Sequence, residues 1–190
     1  MGTDQKKTEN QKLQEKLFIK KESAWLDLKP EEQKKIFSFA EDYKGFISSS
    51  KTERLCISNM ISILEENGFK DLRKVKDLKP GDRFYKNFKG KTLLACRVGE
   101  NIENIRLVGS HVDSPRLDLK PSPLYEDAEM ALLQTHYYGG IKKYHWVNQP
   151  LELHGIAFTR EGKEVPLHIG VEDDEPKFII PDLLPHQMVQ

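Results

Sequence analysis

The chain has 190 residues, 37% apolar and 32% charged, and its 30 Lys and Arg balance 30 Asp and Glu to a formal net charge of zero. That balance speaks against a nucleic-acid partner, whose phosphates select a basic surface, and against electrostatic docking on an anionic membrane. No apolar run approaches the roughly 20 residues that span a bilayer, so a soluble chain of one domain, or one domain and part of a second, is expected.

Residues 1–22 are rich in Lys, Glu and Gln and hold no apolar run of the kind that marks a secretion signal. A frayed or helical polar extension is expected there. The two cysteines, Cys56 and Cys96, make no CxxC spacing and fit a reducing, cytoplasmic setting. The stretch SAWLDLKPEEQKKIFSFAEDYKGFISSS predicts a helix. Pro30 stands at its first turn, where a missing N–H costs nothing, and Glu31 and Glu32 suit the positive end of the helix dipole. Ile36, Phe37, Ala40 and Tyr43 form an apolar stripe at helical spacing, and Gly45 with the serines after it is expected to end or weaken the helix.

A second helix follows in SKTERLCISNMISILEENGF. Ser50 and Glu53 match the S-x-x-E capping box, Leu55, Ile57, Met60, Ile61 and Leu64 recur at helical intervals, and Gly68 is placed to close the C-terminus. From about residue 82 the period changes. DRFYKNFKG and KTLLACRVG predict a hairpin turning near Lys89 and Gly90, and NIRLVGSHVD predicts a further strand stopping at Gly109 or Ser110. Helices followed by strands indicate an α/β or α+β layer. Beyond about residue 121 the pattern becomes that of a small β domain, with strands expected at 129–137, 151–159 and 163–170.

Chemistry concentrates in GSHVDSPRLDLKP, residues 109–121. His111 and Asp113 stand two apart where an apolar strand is expected to end, and ligand sites favour the carboxyl edge of open α/β sheets. Imidazole is a good zinc ligand whose second ring nitrogen needs an acceptor, and Asp113 could supply it or touch the metal. By local pattern alone, an Asx-turn before Ser114 and Pro115 with a half-exposed His111 explains the same residues. Asp118 and Lys120 read as a solvated strand face. The other histidines form no HExxH or Cys/His cluster. His145, His154 and His168 are expected in surface or structural roles, and His186, in a Pro-flanked loop, is open to either reading. The acidic run 172–175 lacks calcium-loop spacing and reads as a solvated turn. No GxSxG elbow, P-loop or GxGxxG is present.

Three stretches, RLVGSHVDSPRLDLKP, YGGIKKYHWVNQPLELHGI and FIIPDLLPH, resemble in order and spacing the M18 family of aminopeptidases, the aspartyl-aminopeptidase group. The resemblance implies an α/β fold. After the polar extension 1–22, residues 23–121 would form part of a zinc-peptidase α/β/α sandwich, and 122–190 part of an inserted β-rich dimerisation domain. It implies two zinc ions per active site, with other divalent ions as alternatives. His111 falls on a zinc ligand, and Asp113 on the catalytic-site aspartate that orients it. His186 falls on a substrate-binding histidine that reaches a partner subunit's active site, although this chain has Leu184 and Pro185 where the family has Ala-Ile. The implied partners are peptide substrates, acidic N-terminal residues preferred, and further copies of the chain, with no nucleic acid and no membrane. Family members are more than twice as long, and their remaining ligands and general base follow the insert. The chain by itself is therefore expected to be inactive, and the alternative is a non-catalytic truncated chain acting as an assembly module.

Overall fold

The structure is a computed structural model that describes residues 7–19, 22–101 and 103–182. Two compact units divide the chain, 1–45 and 46–190.

In the first unit the polar extension is helical. Helix α1 (Glu9–Leu17) opens with a capping box, Thr8 accepting from the Gln11 N–H while Gln11 accepts from the Thr8 N–H. A 3₁₀ turn (Ala24–Asp27) leads to α2 (Pro30–Ser49), which starts at Pro30 as its fixed φ favours. Trp25 meets Phe37 edge-on, with ring centroids 5.6 Å apart. The apolar stripe of α2 is not a core: Ile36, Phe37 and Tyr43 are all exposed. Gly45 does not end the helix, which runs on to Ser49.

The second unit is built on α3 (Glu53–Glu66). Its cap is Thr52, which accepts from the Leu55 N–H at 3.2 Å, rather than Ser50. Ser50 instead accepts from the Asn59 side chain, which removes it from the capping role that the S-x-x-E pattern suggests. The C-terminus closes as the sequence implies. Gly68 takes φ +78°, its N–H bonds to the Glu65 carbonyl and the Phe69 N–H to the Leu64 carbonyl, the paired bonds of a Schellman motif. Strands β1 (Lys70–Asp71), β2 (Arg83–Phe88) and β3 (Thr92–Arg97) form one sheet in that order, β1 parallel and β3 antiparallel to β2. The β2–β3 turn puts Lys89 and Gly90 at positive φ, and the Arg54 guanidinium of α3 donates to the Lys89 carbonyl at 3.1 Å. Cys56, Ile57, Phe84 and Tyr85 are buried where α3 meets this sheet, and Asp71 is buried with them.

The strand expected at 104–110 is not formed. Ile105, Leu107 and Val108 are 85%, 83% and 95% exposed. A strand needs a neighbour for its ladder, and no described residue pairs with this segment. Regular structure resumes at β4 (Arg116–Asp127), which pairs antiparallel with β5 (Met130–Tyr138). Strand β4 runs straight through position 121. Its register shifts between Leu119 and Leu124, around Pro121 and Pro123, the kind of irregularity where a strand tolerates proline. The third pair, β6 (Leu153–Phe158) and β7 (Glu164–Ile169), is a regular hairpin. The acidic run after it is a turn: Glu175 Oε2 accepts the backbone N–H groups of Gly170, Val171 and Glu172. No helix among the described residues is long and apolar enough to cross a membrane.

Candidate metal centre

His111 and Asp113 lie in the irregular segment that enters β4. The His111 Nδ1 is 2.9 Å from the Asp113 carbonyl oxygen and 3.1 Å from its carboxylate Oδ1. Both neighbours are acceptors, so Nδ1 carries the proton and Nε2 the lone pair. Nε2 has no hydrogen-bond partner among the described residues, and the side chain is 83% exposed. This is the tautomer and the accessibility that a metal-ligating imidazole requires.

The other oxygen of Asp113, Oδ2, accepts the Tyr138 hydroxyl at 2.7 Å. Tyr138 ends β5 and stands opposite Arg116, the first residue of β4. The Asp113 carboxyl is held below its usual range by the Tyr138 hydroxyl first, then by its own backbone N–H and by His111. Tyr138 is pushed the opposite way by the same bond and by the Asp113 charge. Arg116 lies over the Tyr138 ring, 4.1 Å from its centroid, a cation–π distance. It also meets Asp118 Oδ1 at 2.7 Å and Glu53 Oε1 at 3.2 Å. Neither Tyr138 nor Arg116 was singled out by motif reasoning. The signal was present in the Tyr-Gly-Gly run and in Arg116 directly after Ser-Pro, but only strand register brings the two together.

The remaining sequence candidates fall elsewhere. His186 lies outside the described residues. His154 and His168 face each other across β6–β7, with their Nδ1 atoms 3.0 Å apart, and the His154 Nε2 meets Glu152 at 2.7 Å. Glu152 also takes Lys51 at 2.7 Å. Lys51, Glu152, His154 and His168 thus form one chain of contacts. No group of three or more His, Cys, Asp or Glu side chains among the described residues could enclose a metal ion. His111 thus fits zinc as one ligand, and about three protein ligands plus water complete a catalytic site.

The geometry here is that of one oriented, exposed imidazole backed by a carboxylate, and comparison with known proteins gives the chain a family. Residues 46–189 match the profile of the aminopeptidase I zinc metalloproteases (M18). The chain belongs to the M18 family. It is 45% identical over 170 residues to a Borrelia garinii protein named as M18 family aminopeptidase 1, covering 88% of this chain and 37% of that one. Its fold matches the crystal structure of an M18-family aminopeptidase from Thermotoga maritima with a TM-score of 0.82 and 42% identity, over 91% of this chain and 38% of that one. Aminopeptidase I from Borrelia burgdorferi matches with a TM-score of 0.81 and 38% identity, over 86% and 41% of the two chains. The mixed helix-and-strand architecture is that of these enzymes, and the chain spans little more than a third of their length.

Proposed function

We propose that this chain contributes to a two-zinc aminopeptidase that removes N-terminal residues, acidic ones by preference, from peptides. His111 offers Nε2 to zinc and Asp113 holds the opposite ring nitrogen. The observation that carries this reading is the double acceptor on His111 Nδ1, the carbonyl and carboxylate of Asp113, which leaves Nε2 exposed with its lone pair outward. When bound, a pair of zinc ions supplies an acidified water and polarises the scissile carbonyl. The residues of this chain orient a ligand: Asp113 fixes the imidazole plane and tautomer, and its negative charge raises the basicity of Nε2.

Residues 23–121 would belong to an α/β/α zinc-peptidase layer and 122–190 to a β-rich insert through which copies of the chain associate. Exposed Leu124, Tyr125, Met130 and Tyr137 on the β4–β5 hairpin support such association. The His186 position would bind substrate at a neighbouring subunit. The free thiols of Cys56 and Cys96 support a reducing, cytoplasmic compartment. The described residues alone do not complete a zinc shell, which supports inactivity of the 190-residue chain by itself and keeps an assembly role as the second reading.

The test is hydrolysis of Asp-, Glu- and Leu-p-nitroanilides by the protein encoded by the complete reading frame, with zinc, manganese or cobalt supplied. Release from the acidic substrates that disappears in His111→Ala supports the reading. Undiminished turnover in His111→Ala overturns it.

A further inference from the structure

We propose that Tyr138 is a positioning residue for the zinc ligand His111, and that Arg116 anchors it. The inference rests on the zinc reading of His111 and assigns the next two links behind it.

The geometry is a chain of contacts with one degree of freedom removed at each step. Asp113 splits its carboxylate, Oδ1 toward His111 Nδ1 at 3.1 Å and Oδ2 toward the Tyr138 hydroxyl at 2.7 Å. A carboxylate held at one oxygen can swing about its Cβ–Cγ bond, and one held at both cannot. Tyr138 is what fixes the second oxygen. The tyrosine ring is in turn fixed by its cross-strand partner. Arg116 and Tyr138 are directly opposed in the β4–β5 register, where side chains on one face are in contact. The guanidinium sits 4.1 Å from the ring centroid. It cannot slide, because Asp118 holds Nε at 2.7 Å and Glu53 holds Nη2 at 3.2 Å. Glu53 is the first residue of α3, so the helix start is linked through Arg116, Tyr138 and Asp113 to the metal-facing imidazole.

Gly139 serves the same arrangement. Its φ is +73°, and its Cα side faces the Pro115 backbone, with an added Cβ placed 3.5 Å from Pro115 Cα. The chain leaving Tyr138 thereby turns back against Pro115, the residue before Arg116. Residues 113, 115, 116, 138 and 139 form one contact group although two strands separate them in sequence. A tyrosine that served packing alone would need no hydroxyl partner on the carboxylate that also meets His111.

Tyr138→Phe removes only the hydroxyl and retains the ring over Arg116. Arg116→Lys keeps the charge but not the planar fork that engages two carboxylates and the ring. The readout is the ¹⁵N shift pair of the His111 imidazole, measured at alkaline pH on the metal-free protein, where the two nitrogens report the tautomer directly. The wild type is expected to show a dominant Nδ1–H form; in Tyr138→Phe the Asp113 carbonyl still accepts from Nδ1 at 2.9 Å, so the expected change is a smaller excess of that form as the carboxylate loosens. Arg116→Lys is expected to shift the populations the same way, which keeps the test open if the first variant does not fold. Zinc affinity of the protein from the complete reading frame, read by chelator competition, is expected to weaken about 10-fold in Tyr138→Phe. An unchanged His111 tautomer and unchanged zinc affinity in folded Tyr138→Phe would overturn the assignment. Zinc retained at full stoichiometry in His111→Ala would instead overturn the underlying metal reading, so the two failures are distinct.

Discussion

The Tyr85 hydroxyl donates to Glu65 Oε1 at 2.6 Å, joining β2 to the last turn of α3. Tyr85 is buried, and this bond first, then burial, pushes its hydroxyl up to about 12. Folding favours the neutral phenol. Its contribution is therefore complete below the unfolded-chain value near 10 and is lost as pH rises through about 12. Tyr85→Phe is expected to cost about 1 kcal/mol at neutral pH and to flatten the alkaline limb of a stability–pH curve measured by urea unfolding. Wild-type-like alkaline loss in the variant would show that the pair does not carry it.

Asp71 makes the opposite linkage at the other end of the pH scale. Its carboxylate is buried and takes three contacts from the Arg73 guanidinium, two at 3.1 Å and one at 2.6 Å, and the Arg73 backbone N–H at 2.9 Å. The Arg73 bonds hold it down at about 2. This stabilisation is complete above about 4, the unfolded-chain range, and is lost as pH falls toward about 2. Asp71→Asn is expected to lower neutral stability and to remove part of the acid unfolding transition followed by circular dichroism. An acid limb of unchanged depth would contradict this.

Ile57 is 1% exposed, the most completely buried large side chain among the described residues. It sits in a small core with Cys56, Phe84 and Tyr85, where few neighbours can collapse into a void. Ile57→Ala is expected to destabilise by about 2–5 kcal/mol, read as a fall in denaturation midpoint at constant m-value. A loss below 0.5 kcal/mol, a small fraction of that range, would mean that α3 does not pack on the sheet as described.

Gly139→Ala tests backbone rather than side chain. At φ +73° an L-residue is strained by about 1–2 kcal/mol. The expected result is modest global destabilisation with a selective change in the Tyr138 and His111 resonances. Uniform shifts across β4–β5 without change at His111 would contradict the local coupling.

Local chemistry was legible, and so was the β2–β3 hairpin, but the pairing of β4 with β5 and the lack of a partner for residues 104–110 were not. The Gly68 terminator and the Lys89–Gly90 turn were readable because glycine marks positive φ in sequence. Residues 104–110 read as a strand because they alternate like one, yet a strand needs a partner that no local pattern supplies. The α3 cap moved from Ser50 to Thr52 because Asn59, nearly two helix turns inside α3, engages Ser50. At the site, the two-residue spacing of His111 and Asp113 left a turn and a ligand both open, and the metal reading came from the resemblance of three separate stretches to the M18 family. Tyr138 was hidden because the β4–β5 turn is made by Ala128 and Glu129, both at positive φ, without the Asn-Gly or Asp-Gly pair that announces such a turn. Without that turn the opposition of Arg116 and Tyr138 has no sequence signature.

His111 is expected to bind metal through Nε2, the ring nitrogen left exposed by the Asp113 contacts. The most direct measurement is ¹¹³Cd–¹⁵N coupling in the cadmium-substituted protein encoded by the complete reading frame, with the histidines ¹⁵N-labelled. A coupling from cadmium to His111 Nε2, absent in His111→Gln, is the expected result. Cadmium bound with no coupling to His111, or coupled through Nδ1, would contradict it.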